Sequence, residues 1–163
     1  MKSNISIIQA NLDDLFIIHQ MQIISFRSLL DKYQDYDNSP GAENIEKITM
    51  RFNQPNTTYY LIQNNKISIG AIRIVSLENG QIYRISPIFI IPEYQNKGIA
   101  QKVFKLIEKK YKPTVKWILD TILQEKGNCH LYEKMGYTTT GEIISIKNGM
   151  SIIFYEKNVA LRT

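Results

Sequence analysis

A mixed α/β domain is the fold class that this 163-residue sequence predicts, and three observations carry it. Short apolar stretches rich in β-branched residues alternate with stretches of helical period. Two of the apolar stretches, "TTYYLIQ" and "ISIGAIRIVSL", are separated only by the turn "NNK", so they must lie antiparallel. "QIYRISPIFII", the helical stretch that follows Gly98, and "VKWILDTIL" form a strand–helix–strand crossover, whose two strands must be parallel.

Taken in chain order, "ISIIQA" (5–10) reads as a strand. Asn11 then fits an N-cap, with Asp13 and Asp14 in the first turn, where the helix dipole favours acids. Leu12, Leu15, Phe16 and Ile18 begin a helical pattern that continues through Leu30. "QDYDNSPGAE" has the composition of a loop, and "NIEKITMRFNQ" is a short second helix. The first hairpin follows, then a turn at Asn79-Gly80 into "QIYRISPIFII". Lys112-Pro113 breaks the chain before "VKWILDTIL". "NCHLYEKMGY" is a short helix closed by Gly136, and a last hairpin turns at Asn148-Gly149. The expected order is β-α-α-β-β-β-α-β-α-β-β within one domain spanning 1–163, with no internal repeat, linker or low-complexity tract.

The bulk composition narrows the function classes. The chain is 44% hydrophobic and 21% charged, the balance of a globular protein with a real core. No stretch approaches the roughly 20 apolar residues of a membrane span, and the N-terminus lacks the apolar core of a signal peptide. The one cysteine, Cys129, allows no internal disulfide, which fits a cytoplasmic location. The net charge of +5 leaves room for an acidic partner. It forms no dense basic cluster with interleaved aromatics, so nucleic acid is not the expected partner. His19 and His130 have no carboxylate or thiol neighbours at metal spacing, so no metal is expected. Cys129 and His130 adjoin, but neighbours on a helix diverge by about 100° and do not pair as nucleophile and base.

One junction carries chemistry. In "PEYQNKGIAQKVFKLIEKKY" an amphipathic helix begins just after Gly98, directly behind an uncharged strand. The first N–H groups of a helix lack partners and its dipole is positive there, so the end attracts phosphate. Gly98 removes a side chain from the approach and tolerates an unusual backbone, while Ala100 keeps the next step small. Gln95 can donate from its amide, and Lys97 and Lys102 can add charge. The pattern is neither a Walker loop, which needs GK[ST], nor a dinucleotide fingerprint, which needs more glycines. Standing alone, it is equally an ordinary helix start.

"IIPEYQNKGIAQKVFKLIE" resembles the acetyl-CoA signature of the GNAT acetyltransferase superfamily: Arg or Gln, two residues, Gly, one residue, then Gly or Ala. Here those positions are Gln95, Gly98 and Ala100. "LDTILQEKGNCHLYEKMGY" resembles the family's second characteristic block, in which a helical tyrosine precedes "GY" or "GF". The element order matches the family fold over nearly the whole chain. Gln in place of the commoner Arg at 95, and Ala in place of Gly at 100, are accepted variants.

The resemblance implies the GNAT acyl-CoA N-acyltransferase fold, with the fourth and fifth strands splayed. It implies acetyl-CoA as cosubstrate, with its pyrophosphate on the loop amides of Gln95, Asn96, Lys97, Gly98, Ile99 and Ala100. Its pantetheine arm would pair with the backbone of Ile88 and Ile90 like an added strand. Pro87, inside the strand, has no N–H and marks either the family's bulge or a tolerated edge position. Asn128 touches the cofactor or caps its helix.

Acetyl transfer to an amine needs a neutral nucleophile, a stabilised oxyanion and a proton for the departing thiolate. Tyr132 matches the family tyrosine and is the expected general acid, its phenol neutral at working pH. Tyr83 and Arg84 lie where the family often places substrate-side groups, although a core or sheet-face role is the default for Tyr83. No base is legible. The acceptor is an amine of a small molecule or a protein, expected between the first two helices and the final hairpin, where the acids of "DKYQDYDNSPGAE" could meet a cation. The alternatives are a non-catalytic coenzyme A sensor and an enzyme acting on a nucleic-acid-borne amine. A homodimer is the default oligomer.

Overall fold

The computed structural model describes residues 3–159. Seven strands are present: β1 Ile5–Gln9, β2 Thr57–Asn64, β3 Ile67–Leu77, β4 Ile82–Ile90, β5 Lys116–Ile122, β6 Thr138–Lys147 and β7 Met150–Asn158. Four α-helices accompany them: α1 Leu15–Tyr33, α2 Ile45–Phe52, α3 Ile99–Lys110 and α4 Lys126–Lys134. The strands form one sheet in the order β1-β2-β3-β4-β5-β7-β6. All neighbours are antiparallel except β4 and β5, as the crossover through α3 requires.

The sheet opens in its middle. β4 and β5 pair only from Ile82 to Arg84 against Lys116 to Ile118, and then part. The cause lies on the other edge of β4. Ile74 pairs with Ile85 and Ile72 with Ile88, so Arg73 alone spans Ser86 and Pro87. This is a bulge, with a proline that has no donor to give the ladder, and it bends β4 away from its parallel neighbour. The bulge reading of Pro87 is therefore the one that the fold adopts.

Each sheet face has its own core. On one, α3 buries Ile99, Val103, Phe104 and Ile107, spaced three and four apart along most of the stripe, against Tyr60, Ile62, Ile72, Trp117 and Leu119. Each such side chain contributes about 1.5–3 kcal/mol by leaving water. On the other, Leu15, Ile18 and Met21 of α1 and Ile48 of α2 pack on Tyr59, Leu61, Ala71 and Phe89. At Gly70 the strands approach so closely that a Cβ would lie 2.1 Å from the Phe89 carbonyl oxygen.

Two local expectations shift. Asn11 caps a single 3-10 turn, Leu12–Asp14, through a reciprocal box with the Asp14 carboxylate, and α1 starts directly behind it at Leu15. α4 starts at Lys126 behind Glu125, so Asn128 is an interior helix residue and caps nothing. The last hairpin inserts its second strand, β7, beside β5 and leaves β6 at the sheet edge. Among the described residues no helix is long and apolar enough to cross a membrane.

Candidate active site

The β4–α3 junction has the backbone geometry that can hold an anion. β4 ends at Ile90, one 3-10 turn spans Pro92–Tyr94, and the chain then passes through Asn96 at φ 60° and Gly98 at φ 75° before α3 begins. Left-handed residues alternating with ordinary ones gather successive N–H groups into a concavity. Among the described residues, the amides from Asn96 to Gln101 donate to no backbone carbonyl. The positive end of the α3 dipole adds to them. A Cβ built on Gly98 meets no atom within 4 Å, so the glycine is favoured by its backbone angle, not by packing. Gln95 does other work than the sequence suggests: its Nε2 donates to the Ile90 carbonyl at 2.8 Å and ties the loop to the end of β4. The Lys97 ammonium lies 5.6 Å from the centre of the Tyr94 ring.

The splayed edge of β4 turns further backbone groups toward the gap, of which the Ile90 carbonyl already accepts from Gln95 Nε2. Ile91 N–H donates to Ile69 O at 2.9 Å, which fixes the phase of the β3–β4 ladder. Phe89 pairs with Ala71 in the same phase, so the N–H and C=O of Ile88 and Ile90 point the opposite way. That way lies the gap left by β5, where an extended amide-bearing chain can add as a strand.

Tyr132, on α4, reaches the same place from below. Its ring packs edge-on against Phe104, 5.8 Å away, and against Tyr155, 6.1 Å away. Only 8% of the residue is exposed, yet it lines the cleft. Burial drives its pKa well above the ordinary phenol value, and the Asp120 carboxylate drives it the same way. Both effects favour the neutral phenol over the phenolate. Asn128, one turn earlier on α4, is exposed at the cleft wall.

All the sequence-predicted site residues except Lys97 and Tyr83 line one cleft of about 1170 Å³. Tyr83 packs between Tyr111 and Trp117, with ring centres 5.0 and 5.4 Å away, on the α3 face of the sheet. Arg84 does line the cleft, where it donates to Asp120 Oδ2 on β5 at 3.0 Å. Cys129 is buried with its Sγ toward the carbonyls of Ile122 and Leu123, while His130 is exposed. The two do not act as a pair.

The cleft passes through the parted sheet. Its far wall is made by α1, α2, their connection and the final hairpin, through residues such as Phe26, Asp35, Glu43, Arg51 and Met150. Glu43 is held by Arg51 at 2.6 and 2.5 Å and by Gln22 at 2.8 Å. Burial alone raises the Glu43 pKa, but the Arg51 hydrogen bonds and charge outweigh it and hold the carboxyl below its ordinary value. Asp35 is 7% exposed, takes one hydrogen bond from Asn38, and leaves its buried Oδ2 without a partner. Of the loop acids, Asp35 is thus the one with a free buried oxygen. Sequence reasoning missed Arg73 and Asp120, both on the cleft wall. A signal existed: each is the lone acid or lone arginine inside an otherwise apolar strand, "ISIGAIRIVSL" and "VKWILDTIL".

A splayed mixed sheet, an amide-rich helix start at the splay and a buried tyrosine across from it define a class of acyl-transfer folds. The family model described as "Acetyltransferase (GNAT) domain" matches residues 32–159. The chain belongs to the GNAT family and is an N-acetyltransferase. Among solved structures, it is similar to spermidine N-acetyltransferase from Vibrio cholerae, in complex with CoA and spermine. The TM-score is 0.73 at 17% identity, covering 94% of this chain and 95% of that one. An acetyltransferase from Thermus thermophilus gives 0.74 at 8% identity, covering 96% and 97%. The ribosomal-protein-S18-alanine N-acetyltransferase of Escherichia coli gives 0.72 at 11%, covering 98% and 97%. At these identities the likeness is one of fold. Among curated protein sequences none matches this chain significantly.

Proposed function

We propose that this enzyme transfers the acetyl group of acetyl-CoA directly to a primary amine within a ternary complex. The observation that carries the reading is the run of free amides from Asn96 to Gln101, set beside the β4 edge where Ile88 and the Ile90 N–H face the gap. Those are the groups that a pyrophosphate and a pantetheine arm require, in the order that the ligand presents them. Bound there, acetyl-CoA supplies an activated acetyl thioester.

The chain's residues do the rest. The Asn96–Ala100 backbone holds the phosphates, and Gln95 keeps the loop in register with β4. The cleft admits the acceptor from the α1–α2 side, so donor and amine meet at the parted strands. The neutral amine nitrogen attacks the carbonyl carbon, a C–N bond forms and the C–S bond breaks. Tyr132 gives its proton to the leaving sulfur as the C–S bond breaks, the nitrogen loses a proton to solvent through the open cleft, and solvent returns one to the Tyr132 oxygen. The products are an N-acetylated amine and free coenzyme A. Burial holds Tyr132 in its protonated form, so its O–H is present to donate to the sulfur as negative charge develops there.

Calorimetric titration of acetyl-CoA into the parent and into Gly98→Glu tests the reading. Saturable binding by the parent alone, followed by thiol release with an amine, is expected. No binding by a folded parent protein overturns it.

A further inference from the structure

Arg73 carries a charge in the cleft that acetyl transfer leaves idle. It sits on β3 opposite the Ser86-Pro87 bulge and is only 8% exposed. Its Nε donates to the Ser86 carbonyl oxygen, which pins the guanidinium against β4. Among the described residues its two terminal nitrogens meet no hydrogen-bond acceptor and no carboxylate. The neighbouring arginines differ: Arg51 is neutralised by Glu43, and Arg84 by Asp120. Burial presses hardest against the charge of Arg73; Tyr59 and, more weakly, Glu43 favour the charge, while Arg51 and Arg84 repel it.

A buried charge without a counter-ion costs several kcal/mol and is ordinarily removed or paired. A guanidinium cannot shed its proton to escape. Held by one nitrogen with its fork left open, it is shaped for a planar oxyanion taken in two parallel hydrogen bonds. Its place, at the bulge where β4 leaves β5, is where the acceptor wall meets the donor wall. Arg73 thus stands near the point where donor and amine meet, and apart from the Asn96–Ala100 phosphate loop that follows β4. The adenine-nucleotide phosphates do not need it.

Resting on the acetyl-transfer reading, we infer that the acceptor is an amine that also carries an oxyanion, most simply an aminocarboxylate, and that Arg73 selects it by pairing with that anion. A polyamine, which has no anion, leaves Arg73 buried and unpaired, and is a poor acceptor here.

The test uses the full-length protein, acetyl-CoA and matched acceptors. Each amino acid or dipeptide is set against the same amine lacking its carboxylate, phosphoethanolamine against ethanolamine, and spermidine stands alone. Thiol release gives kcat/KM, and melting with coenzyme A present gives binding. For the best aminocarboxylate, kcat/KM should exceed that of its decarboxylated twin by at least about 100-fold, since a buried donor left unpaired is strongly penalised. Arg73→Gln should erase that ratio, mainly through KM, and Arg73→Lys should restore part of it. Both variants should melt no lower than the parent, because Gln removes the buried charge and Lys can shed it, and both should bind acetyl-CoA as the parent does. Preference for phosphoethanolamine would make the anion a phosphate and keep the role of Arg73. Equal or better use of spermidine or of the decarboxylated amines overturns the inference and leaves acetyl transfer standing. So does a panel in which no oxyanion-bearing amine either stabilises or reacts. Failure to bind acetyl-CoA overturns the acetyl-transfer reading itself.

Discussion

The two walls of the cleft are made in opposite ways. The wall proposed for the donor is nearly all backbone and nearly all local: six consecutive amides, one glycine at φ 75°, and the splayed edge of the strand that precedes them. The acceptor wall is side chains brought from afar. Arg73, Arg84 and Asp120 come from three strands, while Asp35 and Glu43 come from the α1–α2 connection. A wall of amides reads only the phosphates and amides of one ligand. A wall of charged side chains can be rewritten one residue at a time, so the acceptor can differ between proteins that share the donor.

The sharpest way to break the comparison is at the acceptor wall's own support. Glu43→Ala leaves Arg51 without its counter-charge and should cost about 3 kcal/mol of stability, read by denaturant unfolding. That is the lower end for a buried pair, because the Arg51 side chain keeps 20% of its exposure. The same pair sets an acid limit. The folded Glu43 pKa lies below its ordinary value of 4.5, so its contribution is complete above that value. It should fade as pH falls through the lowered one. An acid melt that is no less steep in Glu43→Gln than in the parent would remove this pair as the cause.

Next in size is the donor wall. Gly98→Glu should weaken acetyl-CoA binding by at least about 100-fold, by placing a carboxylate among anion-binding amides. Gly98→Ala separates the two requirements of that position. Its methyl meets no atom, so only the cost of the left-handed backbone, about 1–2 kcal/mol, should appear, in stability more than in affinity.

Where the walls meet, Tyr132→Phe should lower kcat by about 100-fold with little change in KM, if proton donation is its contribution. Because burial and Asp120 hold the Tyr132 pKa high, kcat should not fall as pH passes through 10, the ordinary phenol value. A drop there would mean that the phenol titrates unshifted. The smallest effect belongs to the Arg84–Asp120 pair. With side-chain exposures of 42% and 26%, Arg84→Ala should change stability by less than about 1 kcal/mol, and any larger loss should appear in acceptor KM.

How legible each wall was follows from how it is made. "QNKGIA" lies on one continuous stretch, and the structure leaves its amides free from Asn96 onward, as the sequence implies. Tyr132 was legible as part of a second continuous block. Arg73 and Asp120 gave only a hint, as single charges in apolar strands, because sequence does not say which face of a sheet meets a cavity. Tyr83 shows the converse. It adjoins Arg84 in the chain, but the alternation of β4 sends it to the opposite face, into a stack with Tyr111 and Trp117. Asn128 fits a cap by residue type, yet α4 begins two residues earlier.

The sequence by itself determined what depends on near neighbours: the order of elements, the hairpin turns, the parallel crossover and the helix start after Gly98. These follow from periodicity, from turn residues and from hydrogen bonds that close within a few positions. The tertiary structure alone decided that β7 enters beside β5, how far β4 and β5 part, and that Glu43 neutralises Arg51 while Arg73 has no ion pair among the described residues. Those outcomes turn on which distant surfaces are buried together. A charge acquires its partner, or lacks one, only when packing has removed the water that would otherwise serve.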